Sequence, residues 1–119
     1  MTNLDKIKQI AQVCHEANRA FCQTLGDMGQ VAWEDAPQWQ QASAMASVHF
    51  VLHNPDAPPA ALHDAWMDQK IQDGWKLGPV KDATKKEHPW MVPFSCLPKD
   101  QQLKDTLFLA VVKALNSVG

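Results

Sequence analysis

"DGWKLGPVKDATKKEHPWMVPF", residues 73–94, holds two tryptophans, four lysines, one histidine and three prolines. Residues 75–80 and 90–94 favour extended backbone and are separated by a polar turn, so a small antiparallel β-hairpin is expected here. Gly74 permits the left-handed backbone that ends a helix. The stretch therefore reads as a corner between two helices.

Outward from that corner, four helices are expected. Ile7, Ile10, Cys14, Ala17, Phe21 and Leu25 recur at three- and four-residue steps, the apolar stripe of a helix over about 4–25. Gly26 and Gly29 end it. From Pro37, a residue suited to a first helical turn, Trp39, Ala42, Met45, Ala46 and Phe50 share one side of a second helix that reaches about 53. "NPDAPPA", residues 54–60, opens a third helix over about 58–73, with Asn54 or Asp56 as candidate caps. Pro98 precedes Leu103, Leu107, Ala110, Val111, Ala114 and Leu115, the stripe of a fourth helix. No internal repeat or linker is evident, and 119 residues suit one mainly α domain spanning 1–119.

Composition narrows the function. Hydrophobic residues make up 45% and charged residues 20%, enough apolar content for a packed core. A formal net charge of -2 gives no general attraction for DNA, RNA or an acidic membrane. Neither a hydrophobic leader nor an eighteen-residue apolar run occurs, and Cys14, Cys22 and Cys96 lack metal-ligand spacing. A cytoplasmic protein with free thiols is expected, needing neither metal nor cofactor. No nucleophile elbow, zinc-protease motif, phosphate loop or dinucleotide fingerprint is present, so the expectation is a protein that is not an enzyme. His49 and His53 lie one helical turn apart without a third ligand.

Positive charge is nevertheless concentrated. Between 76 and 88, Lys76, Lys81, Lys85 and Lys86 outnumber Asp82 and Glu87, and tryptophans and His88 flank them. Trp66 and Lys70, four apart, share a helix face, placing an aromatic plate beside a cation. Such a composition suits bases and phosphates, although a core tryptophan and a solvated lysine would give the same spacing. Asn18 adjoins the first helix's apolar stripe and needs a hydrogen-bond partner. Arg19, the only arginine, fits a carboxylate or a phosphate.

"VCHEANRAF" (13–21), "LHDAWMDQKIQDGWKLGPVKDATKKEHPWMVPFSCLP" (62–98) and "KDTLF" (104–108) together resemble the RyR domain, the ryanodine receptor repeat that also occurs singly in bacterial and phage proteins. The most specific part is the ordered string Trp66, Gly74-Trp75, Gly78-Pro79, Asp82, Lys86, His88-Pro89 and Pro93. The resemblance implies a four-helix module with a small β element. It also implies that paired repeats hold an adenine nucleotide at positions matching Trp66, Lys70, Lys81 and His88. A homodimer would reproduce the pair from single repeats. Lysine at 70 and 81, where arginine is frequent in the channels, keeps the charge but loses a bidentate grip.

The expected function is a binding module for a nucleotide-like small molecule: an adenine nucleotide, or an ADP-ribose-type or cyclic nucleotide signal. Its ligand-binding candidates are Trp66, Lys70, Lys81, His88, Lys86, Arg19 and Asn18. With no effector segment in view, sequestration is the simplest action, and in a phage it would serve as an anti-defence sponge. The alternative is a protein-protein interaction module anchored by exposed tryptophans such as Trp33, Trp39 or Trp90.

Overall fold

A computed structural model describes residues 2–118 and shows four helices: α1 (Asn3–Thr24), α2 (Gln38–His53), α3 (Pro59–Gln72) and α4 (Lys99–Val118). Thr2 caps α1 in a reciprocal arrangement with Asp5, satisfying free amides of the first turn. Gly26 (φ +87°) and Gly74 (φ +89°) follow the ends of α1 and α3 in the left-handed region. Pro58, with no side-chain cap, precedes α3; Asn54 instead donates to the Phe50 carbonyl at the end of α2. No helix among the described residues is long and apolar enough to cross a membrane.

The β element differs from the expected hairpin. β1 (Lys76–Leu77) and β2 (Glu87–His88) pair in parallel, with Lys76 beside Glu87 and Leu77 beside His88. Gly78-Pro79 turns the chain away after β1. Asp82 then exchanges both backbone hydrogen bonds with Glu87 in an antiparallel bridge. The Asp82 carboxylate accepts from the Thr84 and Lys85 amides, and Lys86 takes a left-handed φ of 54°. The reversal is thereby completed before Glu87, and β2 returns alongside β1. Residues 90–94 form no strand, because Pro89 and Pro93 lack the amide donors of a ladder.

The chain is also internally duplicated, contrary to the expectation of no repeat. In the first half, His15 Nε2 meets the Val31 carbonyl at 2.7 Å; in the second, His63 Nε2 meets the Val92 carbonyl at 2.7 Å. An aromatic residue then opens a short 3-10 turn in each half, Trp33–Asp35 and Phe94–Cys96. Pro37 and Pro98 begin the next helices. Gln41 donates to the carbonyls of Trp33 and Ala36, and Gln102 to those of Phe94 and Leu97. "CHEAN" (14–18) thus corresponds to "LHDAW" (62–66), and "WEDAPQWQQ" (33–41) to "FSCLPKDQQ" (94–102).

The core follows the same pairing. Val48 and Val51 of α2 occupy the positions of Leu109 and Val112 of α4, and all four are buried. Cys14 and Leu62 correspond in the same way on α1 and α3. α2 and α4 touch each other, and α1 and α3 each pack on both, so the two helical hairpins make matching contacts. The halves differ chiefly between Gly74 and Val92, where the β segment enlarges what is a short loop from Gly26 to Val31.

Gly78 is the tightest point of that segment: a Cβ there would lie 2.5 Å from Glu87 Cβ. Gly78→Ala is expected to lower stability by about 1–3 kcal/mol through overpacking, measured by urea unfolding. An unchanged midpoint would show that the β segment yields freely.

Candidate functional site

The duplication places a cavity of about 410 Å³ between the halves. Its wall is built from corresponding positions: Cys14, His15 and Asn18 of α1 opposite Leu62, His63 and Trp66 of α3. Gln40, Ser43, Ala44 and Ser47 of α2 correspond to Gln101, Lys104, Asp105 and Phe108 of α4. The chemistry is unequal. Where the first half has Asn18, Ser43 and Ala44, the second has Trp66, Lys104 and Asp105.

Lys70 is the most unusual group in this wall. The residue is 3% exposed, yet no carboxylate lies within ion-pair distance and no hydrogen bond is made by its ammonium among the described residues. Its Nζ sits 4.8 Å from the ring centre of Trp39 and 5.1 Å from that of Trp75. The negative faces of two indoles give partial compensation. Burial still lowers the Lys70 pKa from its ordinary value, a shift opposed by Asp73 and reinforced by Lys81. The corresponding residue of the first half, Cys22, is fully buried.

Lys81 reaches the same place from the β segment, its Nζ 5.3 Å from the Trp39 ring. The residue is exposed overall, but protein packed around its ammonium lowers the pKa by desolvation, with Lys104 adding repulsion. Trp66 is half-buried, stacked with His63 at 5.5 Å and met edge-on by His88 at 4.9 Å. His88 Nδ1 accepts the Trp90 amide at 3.1 Å, which leaves Nε2 to carry the proton of the neutral ring. Burial first, then Lys81 and Lys70, brings its pKa down to about 4.

Asn18, Trp66, Lys70, Lys81 and His88 therefore converge on one cavity, although they come from three separate parts of the chain. Arg19 and Lys86 lie outside its lining. Arg19 pairs with Glu16 at 3.0 Å, and Glu16 accepts the Trp33 amide, so this arginine steadies the loop after α1. Lys86 donates to the Asp73 carbonyl at 2.7 Å and ties the β segment to the end of α3. Sequence reading missed Trp39 as the plate beneath both lysines, and missed His63, Lys104 and Asp105. Alignment of the two halves would have exposed Lys104 and Asp105 as departures from a shared frame that includes His63.

Asp105 and His88 impose opposite pH dependences. Burial raises Asp105 from 3.8 to about 6, so the native state holds a proton that the unfolded chain releases. Its destabilisation is complete above pH 6 and absent below about 4. His88, depressed from 6.5 to about 4, contributes stability that is lost as pH falls through that window. Asp105→Asn is expected to raise stability at pH 7.5 by about 1–3 kcal/mol, and the gain should vanish near pH 4. Melting temperature against pH for both proteins measures this; an equal gain at every pH would refute it.

A model of the RyR domain family matches residues 57–119, more than half of the chain and the whole of its second helical hairpin with the β segment. The chain belongs to the RyR domain family.

Proposed function

We propose that the chain is a non-enzymatic binding module for a nucleotide-like small molecule, with phosphate at Lys70 and Lys81 and the base against the tryptophans of the cavity. One observation carries this reading: Lys70, 3% exposed, lines the cavity with no carboxylate within ion-pair distance of its ammonium among the described residues. An anionic ligand supplies the missing charge where low dielectric makes that charge most effective. The cavity volume falls within the roughly 300–1,000 Å³ of small-molecule sites.

Magnitudes favour a composite ligand. Stacking contributes about 1–3 kcal/mol per base, whereas micromolar binding needs about 8 kcal/mol, so base and phosphate contacts act together. The cleft between two repeats is built here within one chain, and a homodimer is not required to form it. Trp39 and Trp90, candidates for partner anchors, are half-buried in the cavity wall, and Trp33 is buried, which favours the small-molecule reading over protein docking. His88 supports binding rather than catalysis, because a pKa of about 4 makes it a weak base at neutral pH. Sequestering a nucleotide signal is the corresponding action in the cell.

Thermal-shift measurements with nucleoside mono- and diphosphates, cyclic nucleotides and ADP-ribose test the reading, since a native-state ligand raises the melting temperature. At least one of these should do so, and it should be recovered chemically unchanged. Lys70→Met should abolish that shift while leaving the free protein as stable or up to about 2 kcal/mol more stable, because an unpaired buried charge is removed. No response to any member, or a response undiminished in Lys70→Met, would overturn the assignment.

A further inference from the structure

The C-terminal end of α2 carries a pair of side chains that neither the core nor the cavity uses. His49 and His53, four residues apart, are exposed, and their ring centres lie 4.1 Å apart with the planes tilted by 30°. The other three of the five histidines are engaged in the frame: His15 and His63 meet backbone carbonyls, and His88 accepts the Trp90 amide. His53 Nδ1 lies 2.9 Å from the His49 carbonyl. A carbonyl only accepts, so Nδ1 donates whatever the charge of the ring, and Nε2 is the nitrogen left free. The His49 ring makes no hydrogen bond among the described residues.

The duplicated frame shows that neither imidazole is required by the fold. The offset that pairs Val48 with Leu109 and Val51 with Val112 makes Ala110 and Ala114 the counterparts of His49 and His53, and these two alanines are also exposed on α4. A histidine in the last turn interacts favourably with the free carbonyls of a helix end, which accounts for His53 alone. It does not account for a second ring one turn earlier, packed against the first. α2 has no other ionisable side chain, so no cationic group of this helix repels a metal ion there.

We propose that His49 and His53 form a surface site for a divalent late transition metal ion, ligated by one nitrogen of each ring. Imidazole nitrogens suit Ni2+, Cu2+ and Zn2+, whereas Mg2+ and Ca2+ take oxygen ligands. Two nitrogens held about 2.0–2.1 Å from one ion stand about 3 Å apart, a spacing that two exposed rings reach by small rotations about their soft terminal torsions. The hydrogen bond from His53 Nδ1 to the His49 carbonyl orients the ring and leaves Nε2 to the metal, the part that outer contacts of ligating histidines play. The partial negative charge at the C-terminus of α2 adds to the attraction. Water completes the coordination shell at so exposed a place. The site is separate from the cavity, whose lining on α2 ends at Ser47, and it does not depend on the nucleotide reading.

Calorimetric titration of the untagged full chain with NiCl2 at about pH 8, where protons compete least with metal for imidazole, tests the site. One Ni2+ per chain is expected to bind, and MgCl2 should give no binding heat. His49→Ala and His53→Ala copy the counterparts in α4, and alanine favours helix, so both variants should keep the far-ultraviolet circular dichroism of the wild type. Each should weaken nickel binding about tenfold or more. Binding at the exposed thiol of Cys96 would survive both substitutions and is thereby distinguished. A wild-type chain that fails to bind Ni2+, or that binds Mg2+ equally well, would overturn the site. So would nickel binding undiminished in either variant, since the site needs both rings.

Discussion

The ammonium of Lys70, held between the faces of Trp39 and Trp75, is the interaction from which the character of this molecule follows. Two cation–π contacts contribute roughly 0.5–2 kcal/mol each, less than the several kcal/mol lost when an ammonium leaves water. The deficit appears as the lowered pKa of Lys70. It persists because α3 is fixed by its packing on α2 and α4, which holds the side chain in the cavity wall. On the proposed reading, this charge is what an anionic ligand entering the cavity would meet.

Duplication explains how so small a chain sustains that arrangement. Each half repeats a helix, a histidine tied to a backbone carbonyl, an aromatic 3-10 turn, a proline and a second helix with a glutamine that closes the turn. These shared contacts supply the frame. The first half fills its cavity-facing positions with small or neutral residues, Asn18, Ser43 and Ala44. The second replaces them with Trp66, Lys104 and Asp105 and inserts the β segment that brings in Lys81 and His88. The shared frame and the polar, aromatic cavity wall thus come from two copies of one motif.

Much of the fold was legible because apolar stripes and helix-ending glycines are local signals. All four helices fall within a residue or two of where periodicity puts them, and Gly26 and Gly74 take the positive φ that their positions require. The pairing of β1 and β2 was not legible: it depends on a reversal centred on Asp82, fixed by backbone and Asx-type bonds that no alternation pattern reveals. The repeat escaped notice for a related reason. The halves share hydrogen-bond geometry more than letters, and the β segment offsets one half against the other. Trp66 and Lys70 were flagged by their shared helix face and Lys81 and His88 by the local lysine cluster, and the family resemblance joined the four into one site. Arg19 and Lys86 carried plausible chemistry, but their partners are Glu16 and the Asp73 carbonyl, contacts that serve the frame. Trp39 was read as part of a helix stripe, and only the tertiary packing shows its outer face beneath two lysines.

The protonation of Lys70 tests the account most directly, by a lysine side-chain NMR titration of the free and nucleotide-saturated protein, with Lys70→Arg to assign the resonance. The free protein should show Lys70 titrating below the ordinary 10.5, and a bound anionic nucleotide should move it upward, because a neighbouring negative charge favours the ammonium. A Lys70 that titrates at the ordinary value and stays there when nucleotide is added would contradict the claim that an unpaired buried charge awaits its partner in this cavity.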